Sequence, residues 1–289
     1  DRAPAQYLLG YLLSRGEGVA RNNVESASWY RKAAEKGHAD AQYAYGLALG
    51  TGTGVAKDDT ESNVWLKKAA EQGQSDAAYL LGWNFETGVG ALPDYAQAAQ
   101  WYRKAADANN GAALFQLAAL HRDGRGVEKD EAKALDLYKK AAALGQPAVP
   151  TAIDDYLKLN RPDLAFPLAD AWLAKFPDDA QLATLVALTA VNEARSDPGR
   201  FGAQAKSYSD RAIALLESDT LPASMSVDDW AEYRRRWLPQ LYQRLGALAQ
   251  KTGTPDEARA RLERATAIDP ADPYGWYLLG QNHFAEYES

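Results

Sequence analysis

The first pattern that could carry chemistry is a glycine-rich stretch, GTGTGVAKDD, at residues 50–59. Glycines at alternate positions can bring backbone N–H groups close to a phosphate, as they do in nucleotide-binding loops. The same glycines can form a tight turn between two helices, because glycine adopts a positive φ at little steric cost. The first alternative predicts a nucleotide-binding protein or an enzyme, and the second predicts a scaffold.

Other residue types that catalyse reactions or bind metals lack the spacing that these functions need. The three histidines, His38, His121 and His283, are far apart, and no HExxH or comparable ligand motif is present. Carboxylate pairs such as Asp58/Asp59 are explained by helix capping and solvation without acid–base chemistry. The sequence has no nucleophile elbow around a serine and no cysteine. We therefore predict no catalytic residues, no metal and no cofactor.

Charge and hydropathy argue against nucleic acid and against a membrane span. The formal net charge is −7 and the sequence pI is near 5.1, so no basic stripe is available to displace counterions from a nucleic acid. Residues 1–150 carry 17 basic and 18 acidic side chains, whereas residues 151–289 carry 15 and 21, so steering of partners should be stronger toward the C-terminal half. No apolar stretch reaches about 18 residues.

The glycine pairs and the apolar positions around them recur every 36 residues. A fixed period of this length indicates stacked supersecondary units. Apolar columns keep the same step, as in Trp29, Trp65, Trp101 and Leu137. The paired glycines are Gly16/Gly18, Gly52/Gly54, Gly88/Gly90 and Gly124/Gly126.

Each unit carries start and stop signals for two helices. The first helix, residues 5–14 in the first unit, has apolar side chains at helical spacing and ends at the glycine pair. Glu or Gln follows three of the four N-caps of the second helix by three residues, which predicts capping boxes. The N-caps are Asn22, Asp58, Asp94 and Asp130, and the second helices end at Gly37, Gly73, Asn109 and Gly145, which tolerate a left-handed conformation.

This context decides between the two interpretations of the glycines. A dinucleotide-binding loop follows a β-strand and opens a helix. Here the preceding segment, AQYAYGLAL, has a helical pattern, and the next helix begins only near Asp59. The glycine motif also occurs four times. We therefore predict turns between helices.

Four consecutive strings carry a family resemblance. AQYLLGYLLSRGEGVARNNVESASWYRKAAEKGHAD and three copies starting near residues 41, 77 and 113 resemble SEL-like repeats, the 36-residue relative of the tetratricopeptide repeat. The fourth copy departs from the pattern at Ala118, where the others have glycine, and at Leu137, where they have Trp. The resemblance covers residues 1–148 and implies an all-α fold, a right-handed α-solenoid superhelix of antiparallel helix pairs.

After residue 148 the pattern resembles ordinary tetratricopeptide repeats. Residues 149–226 predict two divergent units, the second stretched by a Pro/Gly loop at 195–203, and a turn-rich linker at 218–226. Residues 227–289 predict an extra helix over 227–237 with Ser226 as N-cap, one tetratricopeptide unit over 240–273, and a terminal capping helix over 274–288.

In units of this family, first-helix positions two before and two after the Leu-Gly pair line the concave face. The resemblance therefore implies a partner-binding wall of Tyr7, Tyr11, Tyr43, Leu47, Tyr79, Trp83 and Phe115, with Ala119 completing the column. The aromatics either pad the packing between first helices, or Tyr11 and Trp83 project beyond it and anchor a partner. Polar neighbours at the turn end would then set the register of the partner; they are Arg15, Thr51, Thr87, Arg122 and Asp123. Trp29, Trp65 and Trp101 are expected in the core.

Two features of the C-terminal part leave alternatives open. The run Arg234-Arg235-Arg236 is either a solvated helix face paired with carboxylates such as Asp229 and Glu232, or a contact for an acidic partner segment. The terminal helix has no second helix to cover it, so it either caps a monomer or exposes an apolar groove for a partner helix or a second copy. Its apolar residues are Trp276, Tyr277, Leu278, Leu279 and Phe284.

The resemblance implies a non-enzymatic scaffold or adaptor that binds a protein or peptide along the concave face. The family has adaptor and assembly roles in bacteria, often in periplasmic or secreted settings, so we expect that localisation, with the cytoplasm as the alternative. Because the chain begins at Asp1, we expect a native start, such as a signal peptide, outside this sequence.

Narrower alternatives are an immunity protein that neutralises a secreted toxin and an assembly factor for envelope or exopolysaccharide machinery. An enzyme acting on β-lactams or the cell wall is disfavoured. The branch of the family linked to β-lactam binding is cysteine-rich, and this chain has no cysteine.

Overall fold

A computed structural model shows an all-helical chain in two compact units, Asp1–Val149 and Pro150–Ser289. It describes residues 2–218 and 220–287, with the side chains of the last helix up to residue 283, and these residues contain no β-strand. The helices of the first unit are α1 (Ala3–Arg15), α2 (Asn23–Ala34), α3 (Ala39–Thr51), α4 (Asp59–Glu71), α5 (Ser75–Thr87), α6 (Tyr95–Asp107), α7 (Gly111–Asp123) and α8 (Glu131–Ala143).

The second unit contains seven helices in the part of the chain described. They are α9 (Val149–Lys158), which begins at the boundary, α10 (Pro162–Lys175), α11 (Ala180–Ser196), α12 (Pro198–Glu217), α13 (Val227–Lys251), α14 (Pro255–Ile268) and α15 (Pro273–Tyr287). Each helix of the first unit packs against the next one along the chain. The predicted α-solenoid arrangement of helix pairs is therefore confirmed.

The predicted N-caps are present at the starts of the four second helices of the first unit, α2, α4, α6 and α8. The side chains of all four predicted N-caps accept a hydrogen bond from the backbone amide three residues later, for example Asp58 from Glu61 at 2.8 Å. Asp130 accepts in the same way from Lys133, although Lys133 is not Glu or Gln. The backbone amide is the donor, so the side chain at that position does not matter for this bond. His38, Gln74 and Asn110 form a second capping column at the starts of α3, α5 and α7.

The glutamates of the predicted capping boxes have another role. The Glu25 carboxylate accepts from the indole Nε1 of Trp29 at 3.4 Å, and Lys32 Nζ lies 4.1 Å from the centre of that indole ring. The indole is therefore held between an anion and a cation on the surface of α2. The tryptophans expected in the core lie at its edge: Trp29, Trp65 and Trp101 are half-buried, and Trp65 packs against the core cluster that contains Tyr45.

The second glycine of each turn makes the contact between repeats. A Cβ atom on Gly54 would collide with the backbone of Asn23, the first residue of the preceding second helix. Gly90 meets Asp59 in the same way. Gly18 has a similar positive φ, 72°, but a Cβ there would meet nothing within 4 Å. The glycine motif is thus a packing device.

A glycine inside the first helix allows that helix to approach its partner closely. A Cβ on Gly82 of α5 would lie 2.6 Å from the ring of Tyr102 on α6. In the first repeat the Ser26 hydroxyl donates to the Gly10 carbonyl at 2.7 Å, and this hydrogen bond further fixes the helix pair. The Leu-Gly pair of the repeat is therefore explained by helix–helix contact.

The second unit differs from the predicted boundaries at two places. Residues 195–203 are not a loop. Asp197 ends α11 and caps α12, with Pro198 at the first helical position, where its missing N–H costs nothing. The predicted extra helix and the following first helix are one helix, α13, which continues through Pro239 between the buried Leu238 and Leu241.

The predicted cap at Ser226 is present, since its hydroxyl accepts from the Asp229 amide at 3.1 Å. The terminal helix is partly covered: Leu278 and Leu279 are buried against Leu262 of α14. Of the two alternatives for this helix, the packing of these two leucines fits a cap. Trp276 is exposed as predicted, and the Phe284 side chain lies outside the described residues.

A glycine pair tests the contact between repeats. We expect Gly18→Ala to lower the free energy of unfolding by about 1–2 kcal/mol, the cost of a left-handed alanine. Gly90→Ala adds a clash with the backbone of Asp59, so it should cost about 1–3 kcal/mol more. Urea unfolding of the two variants beside the wild type measures the difference. Equal losses would show that the turn glycines serve only the turn.

Candidate protein-binding surface

The inner column of the predicted wall belongs mostly to the packing of each repeat. Tyr7, Tyr43, Tyr79 and Phe115 are all half-buried. Three of them meet a tyrosine of the second helix in their own repeat, at ring-centre distances of 5.8, 5.9 and 5.1 Å; the pairs are Tyr7–Tyr30, Tyr79–Tyr102 and Phe115–Tyr138. Burial raises the pKa of Tyr7, Tyr43 and Tyr79, which is consistent with hydroxyl groups removed from water.

The outer column of the wall alternates between free and covered side chains. Tyr11 is 36% exposed and Trp83 is 41% exposed, although both lie on helices packed on their neighbours. Leu47, between them, is half-buried, and Ala119 of the fourth repeat is buried. The first and third repeats therefore each expose a large aromatic side chain at the same helical register.

The polar residues predicted beside the wall are mostly engaged within the chain. Arg15 pairs with Glu17 at 3.1 Å and lies over the ring of Tyr11, 5.8 Å from its centre. The Thr51 and Thr87 hydroxyls each donate at 2.8 Å to a backbone carbonyl of their own helix, four residues earlier. Arg15 thus extends the aromatic surface of Tyr11, and the threonines end their helices.

Arg122 and Asp123 belong to an ionic cluster between the third and fourth repeats. They pair with each other at 2.7 Å, and Arg125 reaches both Asp123, at 3.3 Å, and Glu86 of α5, at 3.6 Å. Burial raises the pKa of Asp123, but its hydrogen bond to Arg122 and the two arginine charges outweigh burial, so the pKa lies below its usual value. Tyr102 completes the cluster by donating to Glu86 at 2.7 Å. The cluster joins two repeats, so Arg122 and Asp123 have a structural role.

The residue types that suggested chemistry have structural partners. His38 caps α3, and buried His121 meets the carbonyl of Glu128 through Nδ1 at 3.2 Å. Asp58 caps α4. In the described ranges, no group of three or more His, Cys, Asp or Glu side chains is placed to hold a metal ion. No described helix combines the length and apolar character needed to span a bilayer.

The structure also shows a groove that sequence reasoning missed. It lies between the first two repeats, has a volume of about 330 Å³, and is lined by side chains that include Tyr30, Leu47 and Thr53. Its cause is a pair of alanines, Ala27 and Ala48, which border it from the two repeats.

The later boundaries between repeats carry a larger side chain at one or both of these positions. The next boundary carries Asn63 and Asn84, hydrogen-bonded to each other at 2.7 Å. The boundary after it carries Leu120, which is fully buried. This difference could have been found in the sequence by comparing, from repeat to repeat, the sizes of the residues equivalent to Ala27 and Ala48.

The comparisons with known proteins agree with this geometry. The Sel1 repeat family matches residues 3–38, 39–74, 75–110 and 111–146, and the tetratricopeptide repeat family matches residues 239–282. The repeats begin two residues before the predicted starts, at the N-termini of the first helices. The chain is therefore a SEL-like repeat protein with a tetratricopeptide unit in its C-terminal part.

Two solved structures illustrate the likeness. A Sel1 repeat protein from Oxalobacter formigenes is 28% identical, with a TM-score of 0.54, over 76% of this chain and 87% of its own. The c5321 protein of uropathogenic Escherichia coli, a protective antigen with an SLR fold, is 23% identical, with a TM-score of 0.57, over 96% of this chain and 64% of its own. No curated protein matches the sequence. Repeats of this kind bind protein partners and generally act as non-catalytic scaffolds.

Stability measurements separate exposed from packed aromatics. Trp83→Ala should lower the free energy of unfolding by only about 1 kcal/mol, because the indole is 41% exposed. Tyr102→Ala should cost about 3–5 kcal/mol, because it removes a fully buried ring. Chemical denaturation of both variants checks this. A large loss in Trp83→Ala would assign Trp83 to the packing of the fold.

The groove between the first two repeats gives a second stability test. Ala48→Leu, which copies Leu120 of the fourth repeat, should raise the free energy of unfolding by about 1 kcal/mol by filling the groove. Ala118→Leu is the matched control and should lower it by about 1–3 kcal/mol, since Ala118 is fully buried. Thermal unfolding compares the two. Destabilisation by both would mean that the groove is not accessible to the longer side chain.

Proposed function

We propose that this protein is a non-catalytic adaptor that binds a partner protein through the first-helix wall of its first unit, with Tyr11 and Trp83 as anchors. The observation that supports the proposal is the contrast within the wall: the inner column is packed, whereas two large aromatics of the outer column stay exposed. Tyrosine and tryptophan are favoured anchors because they bury a large area at a small cost in side-chain entropy.

The geometry favours a partner that spans several repeats. Tyr11 lies on α1 and Trp83 on α5, so a single partner that covers both must also pass over Leu47 of α3. The half-buried rings of the inner column provide a rigid base for that contact, because each is fixed by its own repeat. Arg15, at the turn end beside Tyr11, would give the partner a charged contact at one end of the wall.

The proposed setting is the bacterial envelope or a secretion process, with the protein in the periplasm or outside the cell. Neutralisation of a secreted toxin is a narrower form of the same function, in which the partner is the toxin. Both rest on the family resemblance, and both are tested when the partner is identified.

Affinity capture from the native bacterium, followed by binding measurements with the purified captured protein, tests the proposal. Tyr11→Ala/Trp83→Ala should weaken the Kd about tenfold to a thousandfold, as expected for the loss of one or two anchors of about 2 kcal/mol each.

The matched control is Val24→Ala/Leu92→Ala, which removes two exposed apolar side chains, 68% and 87% exposed, that are not part of the wall. It should leave the Kd unchanged. If the wall variant binds as tightly as the wild type, or if both variants lose affinity equally, the wall is not the binding surface. Turnover of a β-lactam or peptidoglycan substrate that a single substitution abolishes would contradict the non-catalytic role.

A further inference from the structure

The second unit contains a groove lined by its first helices. Two cavities, of about 830 and 580 Å³, share Asn192 and Arg195 of α11, Ala247 of α13, and Tyr274 and Leu278 of α15, so they form one continuous groove. The helices α11, α13 and α15 form its walls, and the turn between α14 and α15 closes one end. We call it the α11–α13–α15 groove.

Five cationic side chains line this groove. They are Arg195, Arg235, Arg236, Arg244 and Lys251. Among the described residues none of the five forms an ion pair. Arg244 donates to the neutral Asn192 amide at 3.1 Å, and Lys251 donates to the backbone carbonyl of Arg195. One alternative for the arginine run, pairing with Asp229 and Glu232, is absent from the described part of the chain, and Arg236 lies over the ring of Trp237.

The opposite surface of the same unit pairs its cations. Lys206 and Glu257, Asp210 and Arg261, and Glu217 and Arg264 join α12 to α14 at 2.7, 2.7 and 3.0 Å. The second helices therefore neutralise each other's charges, whereas the first helices leave theirs free in the groove. Like charges held close together repel, and an anionic ligand relieves that repulsion.

The two carboxylates at the groove offset only two of the five positive charges. Asp269 and Asp272 lie in the turn at its end. The Asp272 carboxylate already accepts hydrogen bonds from the Tyr274 and Gly275 amides, at 3.1 and 3.2 Å, and from the Gln243 side chain. The groove is thus locally basic inside the more acidic half of the chain, in which residues 151–289 carry 15 basic and 21 acidic side chains.

The groove also offers apolar surface for side chains. Tyr274 and Tyr277 are 52% and 59% exposed, and their rings stack with their centres 6.3 Å apart. Buried Leu278 forms part of the floor between them. A ligand that fits must therefore combine negative charge with side chains that pack on aromatic rings.

We propose that the α11–α13–α15 groove binds an acidic peptide segment of a protein partner. Its two cavities, bordered by three helices, suit an extended segment and exceed the volume that a single phosphate or carboxylate ion would fill. A nucleic acid fits less well, because its regularly spaced phosphates continue past the groove over a unit with a net negative charge. The site lies in a different unit from Tyr11 and Trp83, so it is independent of the wall.

Fluorescence anisotropy with the full chain tests the proposal. The probes are a short labelled Glu-rich peptide that contains leucines, the same peptide with Gln in place of Glu, and a single-stranded DNA of equal charge. The wild type should bind the Glu peptide, and its affinity should fall as salt is added, because exposed charges are screened. Arg195→Glu/Arg235→Glu should weaken binding at least about tenfold, and Arg195→Gln/Arg235→Gln should weaken it less.

The matched control is Lys36→Glu/Lys175→Glu, which changes the net charge equally at exposed lysines outside the groove. It should stay within about twofold of the wild type. Unchanged melting temperatures show that the variants are folded, since the two substituted arginines have no ion pair to lose. No binding of the Glu peptide, equal binding of the Gln peptide, or equal losses in the groove and control variants would overturn the proposal. Tighter binding of the DNA would replace the acidic peptide with a nucleic acid.

Discussion

The first unit depends on one contact, the seating of a turn glycine against the start of the preceding second helix. Gly54, Gly90 and Gly126 each occupy a position where a Cβ would collide with that backbone. Because the same contact recurs at every boundary between repeats, consecutive repeats stack with the same step. The N-caps Asn22, Asp58 and Asp94 fix the helix starts against which the glycines sit. The glycine pattern that resembles a nucleotide-binding loop therefore serves the packing of the repeats.

Regular stacking also separates structural residues from residues that are free to bind. Once every 36th residue has the same environment, a departure in exposure or residue type becomes informative. Trp83 is exposed, whereas Ala119 at the equivalent position of the fourth repeat is buried. Ala48 borders a groove, whereas Leu120 at the equivalent position of the fourth repeat is fully buried. In the second unit the corresponding contrast is one of charge, since cations are paired between the second helices and unpaired between the first. In such a protein, candidate binding surfaces are found where a residue differs in exposure or charge from the equivalent residues of the other repeats.

The sequence predicts much of this fold, because local signals determine its helices. Caps, turn glycines and the 36-residue period give the eight helices of the first unit to within a few residues. The same rules explain the turn at Asp197, because Pro198 occupies the first position of α12. The nearby glycines had suggested a loop at this place. At Pro239 the sequence predicted a break between two helices. The structure has one continuous helix there, α13, because the residues around Pro239 are buried against the rest of the unit. Neither groove was predicted, since each joins residues from several helices, as Arg195 and Arg235 do, and depends on which charges find partners.

The most direct test of the central claim is site-specific photo-crosslinking in the native bacterium. A photoreactive amino acid would replace Trp83 on the wall or, as a control, Leu92, which is 87% exposed in the turn of the same repeat. The account predicts that position 83 forms an adduct with one partner protein and that position 92 does not. Adducts from position 92 alone, or equal adducts with the same protein from both positions, would contradict it.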